Sequence, residues 1–205
     1  MDCGHIGVDE SGKGDYFGPL VVAACFVAPE HLADLEGVQD SKKLTDKKAL
    51  SLAKTIRATC PHEVLVIRPK RYNELYADIR NLNRLLEWGH AKVIEEVQKK
   101  QPCRLAISDR FADPRGLVAK LKHKGVDIEL QSFVRAESDP AVAAASILAR
   151  AGFLEHLAQL STEFGIELPK GATNVIGVAK RFVATHGRDR LNEVAKLHFK
   201  TTASV

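Results

Sequence analysis

An unbroken apolar run, LVVAACFV at residues 20–27, constrains the fold more than any other stretch of the sequence. A strand with water on one face alternates apolar and polar residues, so this run predicts a strand buried on both faces. Such a strand lies inside a sheet that is covered on both sides. A second strand is predicted at residues 5–8, and the glycine-rich turn of GVDESGKG (7–14) joins the two.

The rest of the chain alternates predicted strands and helices. Strands are predicted at 63–67, 105–108 and 126–134, and helices at 45–59, 69–76, 82–99, 175–186 and 189–197. A further helix is predicted to begin at Asp139-Pro140, because an N-cap carboxylate followed by proline at the first helical position is a strong start signal. The order predicts one α/β domain over residues 1–205, with a mixed sheet flanked by helices and a helical C-terminal segment.

Composition and charge indicate a soluble globular protein. The 205 residues are 45% hydrophobic and 27% charged, and the net charge of +4 is too small to identify a partner by itself. Basic residues concentrate in 170–205, where seven lysines and arginines face two acidic residues. If the partner is a polyanion, we expect it to bind through this basic segment.

Neither a disulfide framework, a zinc site nor a membrane segment is indicated. The chain has no C-x-x-C pair, and its cysteines lie far apart at Cys3, Cys25, Cys60 and Cys103. The longest apolar run, residues 17–27, is too short to span a bilayer, and nothing before it resembles a signal peptide. We expect a cytoplasmic protein with reduced thiols.

The turn GVDESGKG is one residue short of the nucleotide-binding loop G-x-x-x-x-G-K-[ST]. Position 14 is glycine, so the hydroxyl that binds Mg²⁺ is missing, and Asp9 and Glu10 would repel the phosphates. Adjacent carboxylates at a strand end suit divalent cations, which prefer oxygen ligands. Asp109 and Glu137, each just beyond a predicted strand, would complete a two-metal site for phosphoryl transfer.

Each of these carboxylates also has a purely structural explanation. Asp9-Glu10 is consistent with a solvated turn, Asp109 with a helix cap, and Glu137 with favourable interaction with the dipole of the following helix. Ser146, on that helix, is interpreted as a small packed residue whose hydroxyl bonds to the helix backbone.

Several segments in this order resemble the motifs of type 2 ribonucleases H. They are VDESGKGDYFGPLVVAA, DSKKLTDKK, ISDRFAD, RAESDPAVAAASILAR and LPKGATN with VAKLHFK. The motifs GKG at 12–14 and AES at 136–138 are similar to those of ribonuclease HIII, whereas ribonuclease HII typically shows GRG and an aspartate at the last acidic position. The resemblance implies a ribonuclease H-like fold with a five-stranded mixed sheet.

The resemblance also implies the activity and its residues. The expected reaction is endonucleolytic hydrolysis of the RNA strand of an RNA/DNA hybrid, leaving 5′-phosphate and 3′-hydroxyl ends, with two Mg²⁺ or Mn²⁺ ions per site. The implied metal-binding and catalytic carboxylates are Asp9, Glu10, Asp109 and Glu137, of which Asp9 is expected to bridge both ions. Implied substrate contacts are Ser11, Gly12, Lys13, Gly14, Ser41, Lys42, Lys43 and Lys170.

Two features depart from the family pattern, and a third distinguishes the chain from ribonuclease HII. Ribonuclease HIII commonly carries an N-terminal substrate-binding domain, whereas the catalytic motif here begins at residue 7, so we expect a chain without that domain. Arg110 stands where relatives are expected to have an uncharged residue. No tyrosine follows Tyr76, so the tyrosine that contacts an RNA-to-DNA junction in ribonuclease HII has no counterpart, unless Tyr16 or Phe17 replaces it.

Two other functions would explain part of this pattern. A non-catalytic hybrid-binding module would not need four carboxylates, and a DNA-acting nuclease such as a junction resolvase would not need glycines that approach 2′-hydroxyls. We therefore expect an RNA/DNA hybrid as partner, with no membrane, no obligatory protein partner and a monomeric state.

Overall fold

A five-stranded mixed sheet forms the centre of the molecule. The computed structural model describes residues 4–38, 44–109, 112–134 and 136–205. The strands are β1 (His5–Ser11), β2 (Leu20–Val27), β3 (His62–Ile67), β4 (Leu105–Asp109) and β5 (Glu129–Phe133). They lie in the order β3-β2-β1-β4-β5, with β2 antiparallel to both β1 and β3, and β4 parallel to both β1 and β5. The predicted mixed sheet is confirmed.

Helices cover both faces of this sheet. In the described residues they are α1 (Asp46–Thr59), α2 (Pro69–Ile79), α3 (Leu82–Lys100), α4 (Pro114–His123), α5 (Pro140–Phe164) and α6 (Ile176–His186). Helix α4 was not predicted, although Asp113-Pro114 carries the same start signal as Asp139-Pro140. The Asp113 carboxylate accepts a hydrogen bond of 2.9 Å from the backbone N–H of Arg115.

The apolar run of β2 is buried over its whole length, as predicted. Alternate side chains enter two different cores. Val21 and Ala23 share one core with α5, whereas Val22 and Ala24 share the other with α3. The sheet is therefore the middle of three layers.

Helix α5 is the core helix on one face of the sheet. The Asp139 carboxylate caps its first turn by accepting hydrogen bonds from the N–H groups of Ala141 (2.9 Å) and Val142 (3.1 Å). By length and hydropathy α5 would suffice to cross a membrane, but 72% of its most apolar window is buried inside the fold. Its apolar surface is explained by packing against the sheet.

The C-terminal segment is held against the turn that connects β1 and β2. Phe17 forms an isolated β-bridge with Ala195, and the fully buried Lys196 donates a hydrogen bond of 2.6 Å to the carbonyl of Gly18. The short helix predicted at 189–197 is present as the 3₁₀ helix Arg188–Glu193, but it ends earlier than predicted, because Ala195 and Lys196 pair with this turn instead. Lys196 is also removed from the basic surface that the sequence suggested.

Candidate active site

Asp9 and Asp109 occupy equivalent positions on two neighbouring parallel strands. Val8 of β1 pairs with Ser108 of β4, so the next residue on each strand is one of the two aspartates. Because the register of the two strands places these residues side by side, both carboxylates line the same cleft. Asp109 was predicted just beyond a strand and is the last residue of β4.

The Asp9 carboxylate is buried among other acidic groups. Asp9 is only 7% exposed. Its carboxylate accepts hydrogen bonds from the N–H of Glu10 (2.8 Å) and from the Ser146 hydroxyl. Burial, followed by the charge of Glu10, raises the pKa of Asp9 well above its ordinary value, and Asp109 adds to this effect. The structural interpretation of Ser146 is corrected, since its hydroxyl contacts the site.

The Glu10 carboxylate is held by one residue on each of its oxygens. Nε2 of His90 lies 3.0 Å from Oε2, and Nζ of Lys13 lies 2.6 Å from Oε1. Burial acts to raise the pKa of Glu10, but the hydrogen bond to His90 and the charge of Lys13 outweigh it, so the pKa lies below its ordinary value. Glu10 is therefore ionised in a nearly water-free position.

Glu137 lies beside this cleft, on the short 3₁₀ helix Ala136–Ser138 that links β5 to α5. It is buried, with 8% of its surface exposed. The backbone N–H of Ala136 donates a hydrogen bond of 3.2 Å to the Asp109 carboxylate, which joins this 3₁₀ helix to the end of β4. Glu137 is not among the residues that line the cleft itself.

Three basic side chains line the same cleft, which has a volume of about 390 Å³. They are Lys13, Arg150 and Lys170. Asp46, the first residue of α1, binds two of them, with Nη2 of Arg150 at 2.7 Å and Nζ of Lys170 at 2.5 Å. The cleft therefore combines buried carboxylates with a basic border, an arrangement suited to a phosphodiester near divalent cations.

The two glycines of the GKG turn have different surroundings. Gly12 has φ of +89°, and a Cβ there would collide with the carbonyl oxygen of Pro19 and with Phe153. At Gly14 an added Cβ would meet no heavy atom within 4 Å, so the outer side of this residue is open. The fold itself requires glycine at Gly12, whereas Gly14 leaves the backbone accessible to a ligand.

The carboxylates fit hard divalent cations by their chemistry. Their donors are oxygens, which hard divalent cations prefer. Burial, followed by the charge of Glu10, raises the pKa of Asp9, and a bound cation would offset both effects. Within the described residues, no three His, Cys, Asp or Glu side chains stand close enough to hold a metal ion as they are placed. Glu10 is directed to His90 and Lys13, and Asp109 to the backbone of Ala136.

Sequence reasoning missed three residues at the site, namely His90, Arg150 and Asp46. Their contacts join elements far apart in the chain, 80 residues for His90 with Glu10 and 104 for Arg150 with Asp46. Arg150 lies in the quoted motif AAASILAR, which was an available signal. The predicted contacts Ser41, Lys42 and Lys43, and also Arg110, lie outside the described residues.

Comparison with known proteins supports the motif analysis. Residues 6–202 match a family model described as Ribonuclease HII. Ribonuclease HIII of Protochlamydia amoebophila is 45% identical over 204 residues, which are 98% of this chain and 68% of that protein. Ribonuclease HIII of Chlamydia felis is 46% identical over 203 residues, 96% of this chain and 68% of that protein.

A solved structure is also similar over nearly the whole chain. The structure of Bst-RNase HIII in complex with Mn²⁺ matches with a TM-score of 0.92 at 35% identity, covering 99% of this chain and 69% of that chain. The similarity indicated by short motifs therefore extends to the complete fold.

Proposed function

The chain belongs to the ribonuclease HII family, with relatives at about 45% identity named ribonuclease HIII, and we propose that it hydrolyses the RNA strand of RNA/DNA hybrids with two divalent metal ions. One observation carries the proposal. Asp9 and Asp109 lie at equivalent positions on neighbouring parallel strands and line one cleft with Lys13, Arg150 and Lys170.

The proposed metal ligands are Asp9, Glu10, Asp109 and Glu137. Bound Mg²⁺ or Mn²⁺ ions would supply an activated water and stabilise the charge on the leaving oxygen. Asp9 lies on the central strand β1, next to Glu10 in the chain and level with Asp109 on the neighbouring strand β4, which favours it as the shared ligand. The products would be a 5′-phosphate and a 3′-hydroxyl.

The chain's other residues would bind and orient the substrate. Lys13, Arg150 and Lys170 face the cleft with positive charge and suit backbone phosphates. Ser11 lines the same cleft, and the open side of Gly14 would let the RNA backbone approach with its 2′-hydroxyl. Gly12 would act indirectly, by keeping the turn in its conformation.

We also propose that the protein acts as a monomeric, cytoplasmic enzyme without an obligatory protein partner. The large hydrophobic side chains exposed in the described part of the chain are Leu32, Phe133, Val134, Ile176 and Leu197. They lie on different elements, apart from the neighbours Phe133 and Val134. Isolated exposed apolar residues of this kind are ordinary on a monomer.

Cleavage of labelled duplexes tests the function directly. We expect the RNA strand of an RNA/DNA hybrid to be cut in Mg²⁺ or Mn²⁺ and to remain intact in EDTA. DNA/DNA and RNA/RNA duplexes of the same sequence are the controls, and we expect neither to be cut. Equal cleavage of the DNA duplex would instead favour a DNA-acting nuclease, and binding without cleavage would favour a hybrid-binding module.

We further predict efficient cleavage within runs of RNA and poor cleavage at one ribonucleotide embedded in DNA. Tyr16 and Phe17, the aromatic residues beside the glycine turn, are fully buried and are not available to stack on a junction. Base stacking on an aromatic side chain is worth about 1–3 kcal/mol, so its absence should slow junction cleavage roughly tenfold or more.

The measurement compares one duplex with a single ribonucleotide and one with several, under the same metal conditions. A matched rate on both substrates in Mg²⁺ would contradict this preference. This outcome would not contradict the proposed cleavage of RNA/DNA hybrids, because both substrates contain RNA.

A further inference from the structure

His90 is a fully buried polar residue that the family motifs quoted above do not contain. It lies on α3, which packs on the face of the sheet opposite α5. Its side chain is 0% exposed, and its Nε2 lies 3.0 Å from Oε2 of Glu10. Since an ionised carboxylate only accepts hydrogen bonds, Nε2 carries a proton and donates a hydrogen bond to Glu10.

The packing of α3 brings this imidazole to the carboxylate. Gly89 precedes His90, and a Cβ at Gly89 would lie only 3.0 Å from Cγ2 of Val22 on β2. A larger residue there would push α3 away from the sheet. Glycine at position 89 therefore allows α3 to pack closely against β2, which places His90 next to Glu10.

The two partners of Glu10 differ in how firmly they can hold it. Lys13 has a side chain that is 47% exposed, and a flexible lysine at the surface is a weak constraint. His90 is enclosed by the protein and has few alternative positions. The Glu10 side chain is itself 5% exposed, so its fixed orientation depends mainly on the buried partner.

We propose that His90 is a positioning residue, whose Nε2–H fixes one Glu10 oxygen so that the other faces the cleft. This inference rests on the proposed function, in which Glu10 is a metal ligand. Outer partners that orient metal ligands typically change metal affinity or activity 10- to 100-fold when they are removed. His90 would act only through Glu10 and would not contact the substrate.

Two amide substitutions separate positioning from packing. His90→Gln keeps an N–H donor at about the position of Nε2. His90→Asn places its amide near the position of Nδ1, so this shorter side chain does not reach Glu10. Both are neutral and polar, so they impose a similar burial penalty. We expect His90→Gln to retain most of the wild-type kcat and Mn²⁺ affinity, and His90→Asn to lose roughly 10- to 100-fold in one or both.

The experiment measures Mn²⁺ affinity by calorimetry on the substrate-free protein, together with kcat and KM for a hybrid and the melting temperature of each variant. A loss of kcat or Mn²⁺ affinity that occurs only in His90→Asn, with KM for the hybrid little changed, supports the proposal. Wild-type behaviour of a folded His90→Asn overturns it. Equal losses in both variants also overturn it, because the donor at Nε2 would then not be what matters.

Glu10→Gln distinguishes failure of this inference from failure of the proposed function. If Glu10→Gln binds Mn²⁺ like the wild type, Glu10 is not a ligand, and both proposals about this residue fall. If Glu10→Gln loses affinity while a folded His90→Asn does not, only the role of His90 falls. We expect His90→Asn to cause no further loss when it is added to Glu10→Gln.

A measurement on the wild-type protein covers the case in which His90→Asn does not fold. The His90 Nε2–H proton can be observed by NMR in ¹⁵N-labelled protein and assigned by its absence in His90→Gln. We expect this resonance to shift on addition of diamagnetic Mg²⁺ and in Glu10→Gln. A resonance that responds to neither change would overturn the proposal.

Discussion

Asp9→Asn is expected to lower the rate of hybrid cleavage by roughly 1,000-fold or more while leaving the fold intact. The substitution removes a negative charge from the centre of the proposed metal site, and metal ions contribute several kcal/mol of transition-state stabilisation. Asparagine has nearly the same shape and can still accept the 2.8 Å hydrogen bond from the N–H of Glu10.

Steady-state cleavage of an RNA/DNA hybrid in Mg²⁺ measures this effect. Asp78→Asn is the matched control, because Asp78 is exposed on α2 and does not line the cleft. We expect the control to cleave at the wild-type rate. Wild-type cleavage by Asp9→Asn would show that the proposed site is wrong.

The same variant should be more stable than the wild type when metal is removed. Burial, together with the charge of Glu10, raises the pKa of Asp9 from 3.8 to about 8. The folded protein therefore binds a proton more tightly than the unfolded chain, and wild-type stability falls as pH rises through this range. In EDTA, the melting temperature of Asp9→Asn should exceed that of the wild type by a margin that grows between about pH 4 and pH 8.

The sheet was predictable because its signals are local. The apolar run of β2 predicted residues 20–27, and the structure gives Leu20–Val27. The cap at Asp139-Pro140 predicted the start of α5, which begins at Pro140. Helix α4, ten residues long, was not predicted although Asp113-Pro114 carries the same start signal.

The site was predictable only in part, because its residues are joined by contacts that no local pattern records. Asp9 and Asp109 follow from strand ends, since the register of parallel strands brings such ends together. The contact of His90 with Glu10 depends on the packing of α3, and the contact of Asp46 with Arg150 on the packing of α1 against α5.

The basic C-terminal segment contributes less positive charge to the surface than its sequence suggests. Lys196 is fully buried and donates to the carbonyl of Gly18, and Arg190 is paired with Glu193. Leu191, Val194 and Ala195 are buried beside Lys196, so deletion of 187–205 would remove part of the core rather than test binding. Of the basic residues in this region, Lys170 is the one that lines the cleft.

Gly7→Ala is expected to destabilise the protein by about 3 kcal/mol and to impair cleavage as well. Gly7 lies on β1, and a Cβ there would collide with the backbone of Ala141 and Val142 in the first turn of α5. Backbone atoms inside a packed core cannot move aside cheaply, so the strand and the helix must separate. Because Glu137 immediately precedes α5, this separation would also move it relative to Asp9.

Urea unfolding measures the stability loss, which corresponds to a decrease in melting temperature of roughly 6–12 °C for a domain of this size. Gly177→Ala is the matched control, since Gly177 lies in α6 and its added Cβ would meet nothing within 4 Å. The control should gain about 0.5–1 kcal/mol, because alanine loses less backbone entropy in a helix. Wild-type stability and cleavage in Gly7→Ala would show that β1 and α5 are not packed as closely as the structure has them, and that the position of Glu137 does not depend on this contact.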